Sequence, residues 1–432
     1  MESAPMDVTL SRVDRLQGNL AVPGDKSVSH RALIFAAMAA GRSIVRGAAH
    51  GADVASTAAS LARLGLDVPA GPVPRLLSVE GLGWQVAREA DLDAGNSGTT
   101  MRLLTGALAG RPGRFVLSGD ASLSSRPMER VASPLRRMGA SVSLANGGRP
   151  PIEVEGRPLH GIAYDIPIAS AQVKGAVLLA GLQAEGPTSV AEPGASRDHT
   201  ERMLAWLGLP VSIAPGSVTL AAGKHLPLPA FELDVPGDFS SAAFWVVAAT
   251  LVRGSQVCIE GVGVNPSRTG LLEILASMGA EVEVIPQAAE PELVGSLRAR
   301  AAGLRGVRVS GGVVARTIDE LPLVAVAATQ AEGVTTIRDA AELRVKESDR
   351  LAVLATGLRG LGADVEEAPD GLSVRGPTPL HGGRVESAGD HRMAMAFAVA
   401  AMVAGGPVTI GGWEGTAISY PGFLDDLGGL AS

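Results

Sequence analysis

The sequence predicts an α/β protein made of two similar halves, each a threefold repeat, and three observations carry that reading. An Ala-rich apolar helix unit recurs six times, an amphipathic helix unit alternates with it, and a five-residue turn near the start returns mid-chain. Recurrence at a fixed period marks a modular architecture. At 432 residues the chain exceeds one ordinary domain.

The first helix unit begins at a polar cluster, runs through Ala, Leu and Val, and closes on glycine before a short β-type run. Its copies are SHRALIFAAMAAG to Gly41, GTTMRLLTGALAG to Gly110, QVKGAVLLAGLQAEG to Gly186, SAAFWVVAATLVRG to Gly254, ELPLVAVAATQAEG to Gly333 and HRMAMAFAVAAMVAGG to Gly405. Successive glycines lie about 70 residues apart. The second unit is amphipathic. In its fifth copy Leu351, Leu354, Ala355, Leu358 and Leu361 share one helix face. Its endings are Leu64-Gly65, Met138-Gly139, Leu207-Gly208, Met278-Gly279, Leu361-Gly362 and Leu427-Gly428, where the glycine is suited to a left-handed cap. Each repeat therefore reads roughly as strand, helix, strand, helix, strand. Pro23-Gly24-Asp25-Lys26-Ser27 returns three repeats later as Pro236-Gly237-Asp238-Phe239-Ser240, which puts the boundary between halves near Pro236.

Composition fits that plan and excludes several functions. Hydrophobic residues make up 46% of the chain but aromatics only 3%, so small side chains fill the core. The 55 glycines and 28 prolines are scattered, as turns and caps are. A net charge of −7 argues against a nucleic-acid surface of the usual basic kind. One cysteine, Cys258, forms no internal disulfide and fits a reducing cytoplasm; it is expected as a small buried residue in a strand. No signal peptide is expected in MESAPMDVTLSRVDRLQGNL. Ala242 to Val252 and Met393 to Val403 fall short of the roughly 20 residues that span a bilayer and read as buried helices.

The charges are placed against local preference. A helix N-terminus is partially positive, so Lys and Arg there are unfavourable. Yet Lys26, His30 and Arg31 open one helix, Arg126 and Arg130 flank another, and Arg197 and His199 precede a third. Arg344, Lys346 and Arg350 surround the start of the Leu351 helix, and His391 and Arg392 open the last apolar one. The same local rule broken at equivalent positions points to function. Helix N-termini with Arg and Lys hold anions through backbone N–H groups and charged hydrogen bonds. Asn96-Ser97-Gly98-Thr99 and Ser170-Ala171-Gln172 add small polar donors, although Asn96 and Thr99 could equally be N-caps. Asp319-Glu320 and Glu347 lie among the cations, as dipole partners or as an acid and a base.

Lys26-Ser27 lacks the glycine spacing of a P-loop, no Gly-x-Gly-x-x-Gly turn follows a strand, no Gly-x-Ser-x-Gly elbow is present, and His and Cys are too sparse for a zinc site. No metal and no cofactor are expected.

Taken together, these segments resemble the 5-enolpyruvylshikimate-3-phosphate synthase family over nearly the whole chain. The matching segments are Pro23–Ser27 with Arg31, Gly95–Thr99, Ser125–Met128, Ser170–Lys174, Arg197–Glu201, Ile318–Glu320, Arg344–Arg350 and Asp390–Met395. The resemblance implies two domains of three βαβαββ units each, an inside-out α/β barrel fold, with the active site in the interdomain cleft. It assigns 22–235 to the first domain and 1–21 plus 236–432 to the second. It implies transfer of the enolpyruvyl group of phosphoenolpyruvate to the 5-hydroxyl of shikimate 3-phosphate, on the shikimate pathway to chorismate and the aromatic amino acids. Lys26 is expected to contact both substrates and assist proton transfer. Ser27, Arg31, Ser170 and Arg197 are expected to hold shikimate 3-phosphate, with Gln172 between the substrates. Arg126, Arg350, Arg392 and the Gly98 backbone are expected to hold phosphoenolpyruvate. Asp319 is the expected base, and Glu347 with Lys346 the expected proton source. Asn96, Thr99, Ala171 and His391 complete the expected substrate-binding set. A cytoplasmic monomer with small-molecule substrates, and neither nucleic acid nor membrane, is expected.

Two departures from the best-known form of the family resemble a divergent class that includes glyphosate-tolerant members: Thr416–Pro421 contains no Lys, and Ala171 stands in a Ser-Ala-Gln segment. In tolerant members the residue at the position of Gly98 is Ala, so ordinary glyphosate sensitivity is expected at this determinant. The rivals are UDP-N-acetylglucosamine enolpyruvyl transferase, which usually has a Cys on a mobile loop and Lys-Asn in place of Lys26-Ser27, and a non-catalytic module binding sugar phosphates.

Overall fold

The computed structural model describes residues 6–83, 85–221 and 228–431. The N-terminal stretch read for a signal peptide begins in residues 1–5, outside the described residues. The chain divides into two compact units. The first comprises Gly24–Pro236 with Glu290–Glu292, and the second Met1–Pro23, Gly237–Ala289 and Leu293–Ser432.

One module of the first unit shows the plan. Strand Glu89–Asp93 leads through the buried helix Gly98–Leu108 to the parallel strand Gly113–Ser118. The outer helix Glu129–Arg137 then leads to a hairpin of Ser141–Ala145 and Arg149–Gly156, whose second strand pairs antiparallel with Gly113–Ser118. The same order and pairing recur from Ala163 to Leu220 in the first unit, and from Arg308 to Gly376 in the second. Gln17–Leu20, helix Phe239–Leu251 and the strands between Gln256 and Arg300 make a further copy. The last module has no hairpin of its own: Val8–Leu10 pairs antiparallel with Val408–Gly411 in its place. Each full module is thus βαβαββ, one strand more than the repeat read from the residues alone. The extra strand is the return arm of a short hairpin, which a period of two helices does not reveal.

Six Ala-rich helices form the two cores. Lys26–Met38, Gly98–Leu108 and Ala171–Gly181 belong to the first unit, and Phe239–Leu251, Leu321–Thr329 and His391–Ala401 to the second. They are apolar on all sides, and a helix of that kind is stable only when buried. Scarcity of aromatics lets them approach closely. A Cβ on Gly106 would lie 2.2 Å from the carbonyl oxygen of Ala176, so only glycine fits where those two helices meet. The helices end two to five residues before the glycines that were expected to close them, and Gly41 lies inside a strand, Ala39–Arg46. In the outer helices the left-handed cap is realised at Gly65, Gly139, Gly208, Gly279 and Gly362, with φ between +77° and +105°. Gly428 departs from this, lying within the helix Phe423–Leu430. Cys258 sits in the expected strand but is partly exposed, not buried. Among the described residues no helix is long and apolar enough to cross a membrane.

Candidate active site

Within each unit the N-termini of the buried helices are brought side by side, and most of the singled-out residues lie there. In the first unit Asp25 caps the Lys26 helix by accepting from the Val28 N–H at 2.9 Å. Lys26 follows in the first turn, against the helix dipole, and its Nζ rests 2.9 Å from Asp53 Oδ2. The Ser27 carbonyl accepts from Arg31 Nη1 at 2.8 Å, and Arg31 Nε donates to Thr200 Oγ1 at 2.7 Å. Burial holds the buried Arg31 guanidinium below the usual arginine range, and the like charge of Arg197 acts in the same direction while Glu201, Asp25 and Glu292 oppose it. Two guanidiniums that raise each other's energy form a place that an anion relieves.

The next helix start settles a question the sequence left open. Ser97, not Asn96 or Thr99, caps the Gly98–Leu108 helix, accepting from the Thr100 N–H. Asn96 instead donates to Asp120 at 2.7 Å and accepts from Arg126 Nη2 at 2.8 Å, so it orients that guanidinium. Thr99 Oγ1 accepts from Gln172 Nε2 at 2.8 Å, which ties this helix start to the one capped by Ser170. Ala171 is the first residue of that third helix. Gly98 lies beneath two guanidiniums: a Cβ there would stand 2.7 Å from Arg102 Nη1 and 3.4 Å from Arg126 Nη1. Arg102, which sequence reasoning missed, is buried and donates to Gln172 Oε1 at 2.6 Å. Its signal was its place one turn after Gly98. Asp53 had none, because only the fold brings it to Lys26.

Several of the basic residues at helix starts take other parts. His30 is fully buried, and burial pushes its imidazole down to about 3, so it is uncharged at neutral pH. It belongs to a hydrogen-bonded chain, His30 Nδ1 with Thr57 Oγ1 at 2.7 Å and Thr57 with Thr100 at 2.6 Å, that joins the first two helix starts. His199 is buried against Glu292. Arg344 is engaged by Asp349 at 2.8 Å and Glu367 at 2.9 Å.

The second unit gathers acids and cations together. Asp319 precedes the Leu321–Thr329 helix, whose first turn holds Pro322, and faces three cations. Arg350 Nη1 lies 3.1 Å from its carboxylate, Arg392 Nη2 3.7 Å and Lys346 Nζ 3.9 Å. Arg350 is 1% exposed and also binds Glu347 at 2.6 Å and Asp390 at 2.7 Å. Its pKa is raised: burial works against the charge, but Asp390, Glu347 and Asp319 together outweigh it. Asp390 caps the last buried helix through the Arg392 N–H, and Arg350 holds its carboxyl below the usual range despite burial. Loss of hydration lowers Lys346, against the pull of Asp319 and with the repulsion of Arg350. Buried His391 starts this same helix. A buried ammonium whose pKa is lowered, set beside carboxylates, is a group that can take part in proton transfer.

Both clusters mix cations with acids. In the first unit Lys26, Arg31, Arg102, Arg126 and Arg197 stand among Asp25, Asp53, Asp120, Glu201 and Glu292. In the second, Lys346, Arg350 and Arg392 are matched by Asp319, Glu320, Glu347 and Asp390, with Arg392 Nη1 3.6 Å from Glu320. Such a set can support acid–base chemistry.

Known proteins resemble the chain over nearly its whole length. The profile of the EPSP synthase family (3-phosphoshikimate 1-carboxyvinyltransferase) matches residues 10–427. A 3-phosphoshikimate 1-carboxyvinyltransferase of Gloeobacter violaceus is 52% identical over 421 residues, covering 96% of this chain and 96% of its own length. One from Synechococcus sp. (strain JA-3-3Ab) is 49% identical over 427 residues, covering 97% and 96%. The solved EPSP synthase of Acinetobacter baumannii superimposes with a TM-score of 0.88 at 42% identity, over 99% of this chain and 98% of that one. The resemblance carried by the motifs is borne out, and the fold is that of the enolpyruvyl transferases. The chain belongs to the EPSP synthase family.

Proposed function

We propose that the chain transfers the enolpyruvyl group of phosphoenolpyruvate to the 5-hydroxyl of shikimate 3-phosphate, releasing phosphate, through the residues assembled above. The observation that carries the assignment of roles is the Asp319 carboxylate, set among Lys346, Arg350 and Arg392. The two substrates bring about six negative charges at neutral pH and repel one another, so cations must offset them. Ser27, Arg31, Ser170 and Arg197 take shikimate 3-phosphate, and Lys26 and Gln172 reach both substrates. Arg126 and Arg392, with the Gly98 backbone, take phosphoenolpyruvate. Arg350 joins them when the incoming carboxylate displaces one of its acidic partners.

The 5-hydroxyl oxygen then bonds to C2 of phosphoenolpyruvate while Asp319 accepts its proton. Glu347, with Lys346 beside it, delivers a proton to C3, giving a tetrahedral intermediate. Breaking the bond from C2 to the phosphate oxygen and removing a proton from C3 restores the vinyl group and expels phosphate. The protein acts as a monomer in the cytoplasm, the compartment being supported by its single cysteine, which forms no internal disulfide.

Phosphate release tests the function. Release is expected with phosphoenolpyruvate and shikimate 3-phosphate together and not with either alone. Release with UDP-N-acetylglucosamine as acceptor would favour the rival transferase. Binding without release would favour a non-catalytic module.

The same assay tests Gly98. Glyphosate at micromolar concentration is expected to inhibit. Gly98→Ala is expected to raise both the inhibiting concentration and the KM for phosphoenolpyruvate by about tenfold or more, the scale of one disturbed charged contact. The added methyl meets Arg102 at 2.7 Å, and Arg102 also holds Gln172. Turnover unaffected by glyphosate, with Gly98→Ala making no difference, would contradict this.

A further inference from the structure

Lys174 has no part in the chemistry just described, yet it is built into the first unit at considerable cost. It is 3% exposed, and its Nζ lies 2.7 Å from Glu192 Oε1 and 2.7 Å from Glu201 Oε1, with both acids similarly buried. An ion cluster out of water costs stability unless its geometry is good, so a buried triad calls for a reason beyond stability. Its placement supplies one. Glu192 begins a stretch without regular structure that runs to Asp198, and Glu201 lies in the first turn of the helix His199–Trp206 that follows it. Arg197 is between the two. Glu192 also grips the interior of the loop: its Oε1 accepts from the Ser196 N–H at 3.1 Å and its Oε2 from the Ser196 hydroxyl at 2.6 Å. Pro193, Gly194 and Ala195 are exposed. The helix bearing Lys174 also passes close to the loop's far end, since a Cβ on Gly175 would come within 2.9 Å of Thr200 Oγ1.

We infer that Lys174 is a positioning residue for the acceptor substrate: by clamping Glu192 and Glu201 it fixes both ends of the loop that carries Arg197. The clamp stands in the helix whose N-cap is Ser170, so the Ser170 hydroxyl and the Arg197 guanidinium are held to one rigid element. Thr200, beside Glu201, receives the Arg31 Nε–H, and this extends the same frame to Arg31. The inference rests on the reading that Arg197 holds shikimate 3-phosphate.

Steady-state kinetics of four variants test it: Arg197→Ala, Lys174→Met, Ser196→Ala, and Lys174→Met combined with Arg197→Ala. Arg197→Ala is expected to raise the KM for shikimate 3-phosphate by roughly ten- to a hundredfold, the loss of one charged contact. Lys174→Met is expected to raise it about tenfold and Ser196→Ala a few-fold, with kcat and the KM for phosphoenolpyruvate within about twofold, because both act only through the loop. The double variant is expected to be no worse than Arg197→Ala. An unchanged KM for shikimate 3-phosphate in Arg197→Ala overturns the reading of the site, and the Lys174 inference falls with it. If Arg197→Ala has its effect, the Lys174 inference alone is overturned by any of three results: no change in Ser196→Ala, equal damage to both KM values and kcat in Lys174→Met, or multiplicative effects in the double variant. Should Lys174→Met fail to fold, Ser196→Ala decides, since it removes only a hydroxyl from a surface loop.

Discussion

Asp319→Asn is expected to lower kcat by about 10²–10⁴, the range a positioned general base supplies, while the KM for phosphoenolpyruvate stays within a few-fold of the original. The substitution separates charge from shape. Asparagine keeps a carbonyl oxygen where the carboxylate accepts from Arg350 Nη1 at 3.1 Å, so the local packing survives. It removes the negative charge from a place bordered by Lys346 and Arg392, and anionic substrates lose nothing by that. What disappears is the ability to take the 5-hydroxyl proton as the new bond forms. An interaction needed only in the transition state shows in kcat and not in KM. Phosphate-release kinetics at saturating concentrations of both substrates make the measurement. A kcat within about threefold of the parent would remove Asp319 from the proton transfer and leave it as a partner of Arg350 only.

The sequence revealed the modular plan because burial imposes it. Helices that must be apolar all round stand out from amphipathic ones, and their alternation counted the modules correctly. The helix alternation alone does not show the return strand of each hairpin, because short strands carry little period; that strand, and the place of the N-terminal strand in the second domain, came from the resemblance, since Val8–Leu10 has its partner Val408–Gly411 hundreds of residues away. The site was legible through a local anomaly, positive side chains at helix N-termini. That anomaly marks position but not protonation or partnership. It could not separate Lys26, in the first turn and half-buried, from His30, one turn on and sunk into a neutral hydrogen-bonded chain. Nor could it separate Lys346, lowered by lost hydration, from Arg344, engaged by Asp349 and Glu367. Asp53, Arg102 and Asp390 were missed for a related reason. Each acts by orienting a cation or an amide that comes from another segment, and only the fold makes that pairing.

Arg350→Met is expected to destabilise the second unit by about 3–5 kcal/mol at neutral pH, because removing one partner of a buried ion pair leaves the other charge uncompensated. Three carboxylates lose the same partner at once: Asp390 is fully buried, and Asp319 and Glu347 are partly so. Methionine fills much of the stem's volume, so the loss reports charge more than cavity. The pH dependence distinguishes this from a packing defect. In the parent, Asp390 has a pKa below its unfolded value, so its contribution is present above the unfolded pKa and is lost as pH falls through the lowered folded one. In the variant, burial without Arg350 pushes the Asp390 carboxyl up, so the native state takes up a proton more readily than the unfolded chain. Stability of the variant should therefore recover as pH falls from about 7 to about 5, where the parent changes little, and the gap between the two should narrow. Urea-unfolding midpoints of parent and variant at those two pH values measure it. A gap that is constant with pH would mean that Arg350 acts through its packing and not by holding the carboxylates in their charged form.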